Sequence, residues 1–385
     1  MLDITCLIIV SWHDLCCKST SLNTDFATSM TISAPDTLSD RERMVLNSVV
    51  EDFIRSAVPV GSRMVAKKFG MSLSPATIRN VMGDLEEKGL LTHPHTSAGR
   101  VPTDRGYRLY VDSLMNVEEL SEQERRHVLG QLAHVSREVD SILDAASQTL
   151  ARISEQLGVV LSPRFFEGVF ERIELVPIAE KKVLMVLSIQ SGLVRTIMLK
   201  MEAEVSRDVL EKTATVINER LHGLSLMEIK HTLDRRMRDL GEDLDKEFVR
   251  WVARSAAPLI DQIELRSLHF GGANNLMRQP EFSDHDKLSS FLHLLESKNI
   301  VIQLFDQQET LSELTIAIGE ENREELIKYC SVITASYHVG SISGTLGVLG
   351  PTRMRYAKVV ALVDFMAKVL TQALDENSGS PAAGN

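Results

Sequence analysis

Cysteine is scarce. The chain of 385 residues has four, and three of them (Cys6, Cys16 and Cys17) fall within the first 17 positions. There is no C-x-x-C pair, which argues against both a disulfide framework and a zinc site. Also missing is an apolar run long enough to cross a membrane, since Cys6–Val10 is far too short. The acidic start Met-Leu-Asp lacks the basic region of a secretion signal. A reducing cytoplasm is therefore the expected location. Catalytic motifs are lacking too. GSISG (340–344) has Ile342 where a nucleophile elbow needs serine. GTLGVLG (344–350) spaces its glycines by three, and FGGANN (270–275) has no following Lys-Ser/Thr, so neither is a nucleotide loop. All three read as turns between strands. No enzymatic activity, cofactor or metal is expected.

What is present is charge, unevenly spread. The formal net charge is −11, yet residues 63–108 hold eight Lys/Arg against four acids, a local net of +4. An acidic body carrying one basic unit points to an anionic partner at that unit. The unit has a readable pattern. A helical apolar stripe, Val45/Leu46, Val49/Val50 and Phe53, begins after Ser39 and stops by Pro59 and Gly61. Ser62 can cap a second helix through Phe69. Ser74 can cap a third, with Pro75 at its first position and Gly89 beyond its end. Leu90–Thr92 and Arg100–Pro102 predict two short strands around the loop 93–99, with a helix over 104–115. Three helices and a hairpin outline a winged helix-turn-helix.

On the third helix Ile78, Val81, Met82 and Leu85 share one face and predict a core contact. Ala76, Asn80, Gly83 and Glu87 lie opposite, flanked by Thr77 and Arg79. Small and hydrogen-bonding residues on that face suit entry into a major groove, where Arg reads guanine and Asn reads adenine. Ser72, Ser74 and the helix N-terminus suit phosphate. The loop HPHTSAGR is the expected wing, with His95 and Arg100 toward DNA. His93 and His95 have no third ligand nearby in sequence and are expected to be polar loop residues.

Residues 1–36 have no sustained period and read as a loose extension, with Met30 a plausible alternative start. Residues 118–157 predict a long helix, whose stripe from Val128 through Leu132, Ile142, Ala146 and Leu150 fits either a coiled-coil seam or packing on the chain's own body. Beyond it VFERIELVPI, KVLMVLSIQ and LVRTIMLKM predict an antiparallel meander. A helical block follows over 203–266, with a capping box at Ser225 and Glu228. A helix is expected near 283–297. IVIQLF, LTIAIG, SVITASYHV and TLGVLG are expected strands, followed by a helix over 352–374 and a disordered tail. Strands, helices and strands again describe an α+β sheet domain with a helical insertion.

The segment from LSDRERMVLNSVVEDF through RVPTDRGYRLYVDSLM resembles the N-terminal domain of the bacterial heat-inducible transcription repressors of the HrcA family. GGANNLMRQPEF and GVLGPTRMRYAKVVALVDFMAKVL resemble its C-terminal part. The likeness spans about residues 38–374. It implies a winged-helix DNA-binding domain (37–116), a GAF-like domain in two parts (117–202 and 267–375), an inserted dimerisation domain (203–266), and flanks at 1–36 and 376–385. It further implies a homodimer that represses chaperone genes at an inverted-repeat operator of the CIRCE type. The GroE chaperonin would keep it active and heat would divert that chaperonin. A ligand-sensing regulator with a metabolite in its sheet domain is the alternative expectation.

Overall fold

The computed structural model describes residues 38–68, 73–94, 99–133, 135, 138–201, 203–239, 245–264, 267–309 and 314–378. The expected extension 1–36 and most of the expected tail lie outside them.

The basic unit forms as its pattern predicts, except that Ser62 is the first residue of the second helix and not its cap; the Gly61 carbonyl accepts from the Met64 and Val65 N–H groups. Helix α1 (Asp40–Ser56) buries Val45, Leu46, Val49 and Val50. It gives way to Ala57 in the left-handed region, two residues before Pro59. Helices α2 (Ser62–Lys68) and α3 (Pro75–Glu87) pack against each other. After Gly89, at φ +70°, strands β1 (Leu91–Thr92) and β2 (Val101–Pro102) pair antiparallel. Helix α4 (Asp104–Ser113) follows, capped by Thr103, whose hydroxyl accepts from the Gly106 N–H.

The region expected as one helix over 118–157 is two, α5 (Glu122–Ala133) and α6 (Val139–Ser154). Leu157 already belongs to a strand, β3 (Leu157–Leu161). Val128, Leu132, Ile142, Ala146 and Leu150 are buried within the chain itself. The seam is therefore an internal packing face: α5 lies on α6, and α6 covers β3.

The main sheet has five antiparallel strands in the order β7-β3-β10-β9-β8, where β7 is Leu268–Gly271, β8 Leu314–Ile318, β9 Cys330–Val339 and β10 Ile342–Pro351. Helix α6 and the last helix pack on one face. Gly158 and Gly271 stand opposite each other in the β3–β7 ladder and make that close approach possible. A Cβ at Gly158 would overlap the Ser147 carbonyl oxygen of α6, and one at Gly271 would lie 2.8 Å from Gln148 Cα. The other face holds the apolar core, in which Phe282, Phe291, Leu294, Leu304 and Phe305 meet Leu157, Val159, Val332 and Leu349.

IVIQLF, expected as a strand, lies in a helix (Lys298–Glu309). Val301, Leu304 and Phe305 are buried while Gln303 is exposed, the helical spacing that a six-residue apolar run conceals. The turn reading of the glycine motifs holds for Gly340, at φ +58° between β9 and β10, but Gly344, Gly347 and Gly350 lie inside β10.

The chain leaves the sheet after Ser162 and returns at Ser267. There the Ser162 N–H donates to the Ser267 carbonyl (2.9 Å) and the Ser267 N–H to the Ser162 hydroxyl (2.8 Å). Between them the predicted meander forms as β4 (Phe170–Ala179), β5 (Lys182–Ile189) and β6 (Val194–Lys200). It is a separate sheet. The helices that follow are α7 (Arg207–Leu221), α8 (Leu226–Arg236, with the predicted capping box) and α9 (Lys246–Glu264). Asn218 of α7 brackets β4 by donating to the Ile173 carbonyl (3.0 Å) and accepting from its N–H (2.7 Å). The excursion is therefore longer than 203–266 and carries its own sheet; it is not helical alone. Helices α10 (Ala273–Met277), α11 (His285–Glu296), α12 (the Lys298–Glu309 helix above) and α13 (Tyr356–Ser378) complete the chain.

Candidate nucleic-acid interface

Helix α3 is held by one face and open on the other. Ile78, Val81, Met82 and Leu85 are buried, as the periodicity predicts. Ala76, Arg79, Asn80 and Glu87 are exposed, and Thr77 and Gly83 are half-buried. Among the described residues nothing lies within 4 Å of a Cβ placed on Gly83, which leaves room there for a partner. The Ser74 hydroxyl accepts from the Thr77 N–H (3.1 Å) and meets the Thr77 hydroxyl at 2.9 Å. Ser74 is thus committed to capping, and the remaining N–H groups of the first turn point outward from the helix end.

The basic residues divide into two sets. Lys88 pairs with Glu42 (2.6 Å) and Lys68 with Glu51 (2.7 Å). Arg108 pairs with Glu321, and the Arg105 guanidinium donates to the Lys88 carbonyl (3.2 Å). These pairs hold elements together. Arg63, Lys67 and Arg79 are exposed and form no ion pair among the described residues. The sequence charge count included Arg63 and Lys67, but no motif marked them. Their exposure on the outer side of α2 does.

Arg100 is placed differently from a free wing residue. Its guanidinium pairs with Glu86 of α3 (2.8 Å), and its backbone exchanges two 2.9 Å hydrogen bonds with Val60. It staples the base of the hairpin to α3 and to the turn before α2. His93 Nδ1 contacts the other oxygen of Glu86. Ser72 and His95 lie outside the described residues, as does the tip of the expected wing.

These features define an α+β protein with several antiparallel sheets and a small N-terminal unit that presents one face of a firmly buried helix. Comparison with known proteins agrees. Residues 140–360 match the HrcA protein C terminal domain. The heat-inducible transcription repressor HrcA of Chlorobium phaeobacteroides (strain BS1) is 40% identical over 348 residues, covering 88% of this chain and 98% of that one. The HrcA of Chlorobaculum tepidum is 39% identical over 350 residues, with the same coverage. A crystal structure described as a hypothetical protein has the same fold, with a TM-score of 0.59 at 21% identity over 88% of this chain and 99% of that one. The chain belongs to the HrcA family of heat-inducible transcription repressors, which regulate heat-shock genes and are not enzymes.

No helix among the described residues is long and apolar enough to cross a membrane.

Proposed function

We propose that the N-terminal unit is a winged helix-turn-helix and that the chain represses transcription in the cytoplasm as a homodimer on an inverted-repeat operator of the CIRCE type. The observation that carries this is the open face of α3. Ala76 and Thr77 leave room for a base pair, and Arg79 and Asn80 supply two-point hydrogen bonding to guanine and adenine. Arg63 and Lys67 supply phosphate contacts beside it, as does the N-terminus of α3 at Ser74. Arg100 holds the hairpin in register with that face through Glu86. Ser72 and His95 complete the proposed contact set.

Dimerisation is assigned to the excursion 163–266. Val176, Ile178, Val194, Met198 and Trp251, all within it, are large apolar side chains left exposed. That much apolar surface on one excursion favours burial by a second copy. The five-stranded part, an antiparallel sheet with helices packed on it, supports the reading of that part as GAF-like. Its apolar face is filled by Phe282, Phe291 and Phe305, so its packing favours a scaffold over a metabolite site.

Heat responsiveness follows from dependence on the GroE chaperonin, which a multidomain chain prone to trapped intermediates would need. The direct test is a footprint of purified protein on an inverted repeat, with and without chaperonin and ATP during refolding. Symmetric protection of two half-sites, with an active fraction raised by chaperonin, is the expected result. Protection of neither half-site would end the reading.

A further inference from the structure

The N-terminal unit is not hung from the body by its linker alone. Arg353, in the turn between β10 and α13, uses its guanidinium to tie its own turn to two other segments. Its Nε donates to Glu281 Oε1 (2.6 Å) and its Nη2 to Glu281 Oε2 (3.2 Å) and Gln279 Oε1 (2.8 Å). Its Nη1 donates to the Ile54 carbonyl (2.9 Å), in the last turn of α1. The side chain is only 12% exposed. A carbonyl at a helix C-terminus has no intrahelical donor and favours a cation, so Ile54 is a natural anchor.

Helix α4 makes the second half of the joint. Arg108 donates to Glu321 and, at 2.7 Å, to the Ile316 carbonyl on the edge strand β8. Asp104 accepts from the Glu320 N–H (3.0 Å), and a Cβ on the adjacent Gly319 would overlap its carboxylate. Tyr107 is buried against Tyr356, with ring centroids 5.8 Å apart. From Arg41 onward the chain forms one compact unit, and these contacts lie within it.

We infer that Arg353 and Arg108 are positioning residues that hold the α1–α4 unit at one orientation on the five-stranded body, and thereby set the half-site spacing a dimer accepts. This rests on the reading of the chain as a dimeric binder of inverted repeats. Neither residue touches the open face of α3, so neither contributes to contacts with a single half-site. A forked guanidinium bridging three segments fixes an angle, which a flexible lysine cannot do. With the joint loose, only a fraction of dimers would present both units correctly, and apparent affinity falls by that fraction.

The test compares full-length wild type with Arg353→Lys and Arg108→Ala, one from each side of the joint. Lys368→Ala serves as a control, because it breaks an exposed ion pair with Asp364 on α13, away from both the joint and the excursion. Affinity is measured for the native inverted repeat, for the repeat with its spacer lengthened by about 5 base pairs, and for a single half-site. That insertion turns one half-site to the opposite side of a duplex with about 10–10.5 base pairs per turn. Wild type and the control should strongly prefer the native spacer. Both joint variants should lose that preference on the order of tenfold, by the population argument, with half-site affinity unchanged. An unchanged preference in whichever variant folds overturns the inference. So does an equal loss on the single half-site, which would make these residues supports of the reader's own fold. If wild type itself binds the repeat no better than a half-site, the dimeric reading fails and the joint has no spacing to set.

Discussion

Asn80 is exposed on a helix whose opposite side is entirely buried, so replacing it leaves the fold untouched. Asn80→Ala should therefore change base preference without changing stability. A two-point contact to adenine is worth about 1–3 kcal/mol of discrimination, and binding to sequence variants of the operator should flatten by that amount at one position in each half-site. Arg63 and Lys67 should behave otherwise. Replacing either with alanine should weaken binding to all sequences and reduce the slope of log affinity against log salt by about one unit. A salt titration of both variants checks this. Gly158 is the residue-scale counterpart in the body. Gly158→Ala pushes a methyl group into the backbone of α6, which cannot yield as a side-chain end can. Overpacking of this kind costs about 1–3 kcal/mol, so the thermal midpoint should fall with no change in base preference.

Among the elements, α5 packs on α13 and is joined to it by a charge pair. Lys358 donates to Glu124, and Ser121 donates to the same carboxylate from its hydroxyl and its N–H. The Lys358 bond, with the Ser121 bonds behind it, holds the Glu124 carboxyl down at about 2, against 4.5 ordinarily. A depressed carboxylate stabilises the fold above its unfolded value, so this contribution is complete above about pH 4.5. It is lost as pH falls from there toward 2. Solvent reaches the pair, which keeps its worth modest and makes it sensitive to salt. Amide exchange in α5 should rise through that window, and Lys358→Met should start the rise at higher pH. Equal exchange in the two proteins at pH 4 would remove the pair as the cause.

For the whole molecule, the excursion between Ser162 and Ser267 makes a clean prediction. Its two ends are hydrogen-bonded neighbours on adjacent antiparallel strands. A short Gly/Ser turn replacing 163–266 should close β3 onto β7 as a hairpin and leave the five-stranded core intact. The shortened chain should sediment as a monomer and lose the gain that joining two readers supplies. A dimer with operator affinity unchanged would move the self-association surface to the body. Removing 203–266 alone is a worse experiment, since it strips α7 from β4 and exposes Ile173, Leu187 and their neighbours.

Local chemistry was enough wherever the answer was local. Pro75 after Ser74, Gly89 beyond the helix end, and the four-residue stripe from Ile78 to Leu85 determined α3, its cap and its open face, because helix period and capping act within a few residues. Ser225 and Glu228 did the same for α8, and alternation determined the meander. Tertiary structure alone decided three things. IVIQLF is equally apolar as helix or strand, and only packing against Phe291 and Leu157 selects the helix. The meander's allegiance to α7 and not to the main sheet depends on which backbone groups find partners, as Ile173 finds Asn218. In the sequence Arg100 reads as a wing residue toward DNA and Arg108 as one more positive charge in a basic stretch. Their partners are Glu86, 14 residues away, and Glu321, 213 residues away. A charge becomes a contact to DNA or a bolt in the fold according to what the folded chain brings within 3 Å of it, and spacing along the sequence carries no record of that.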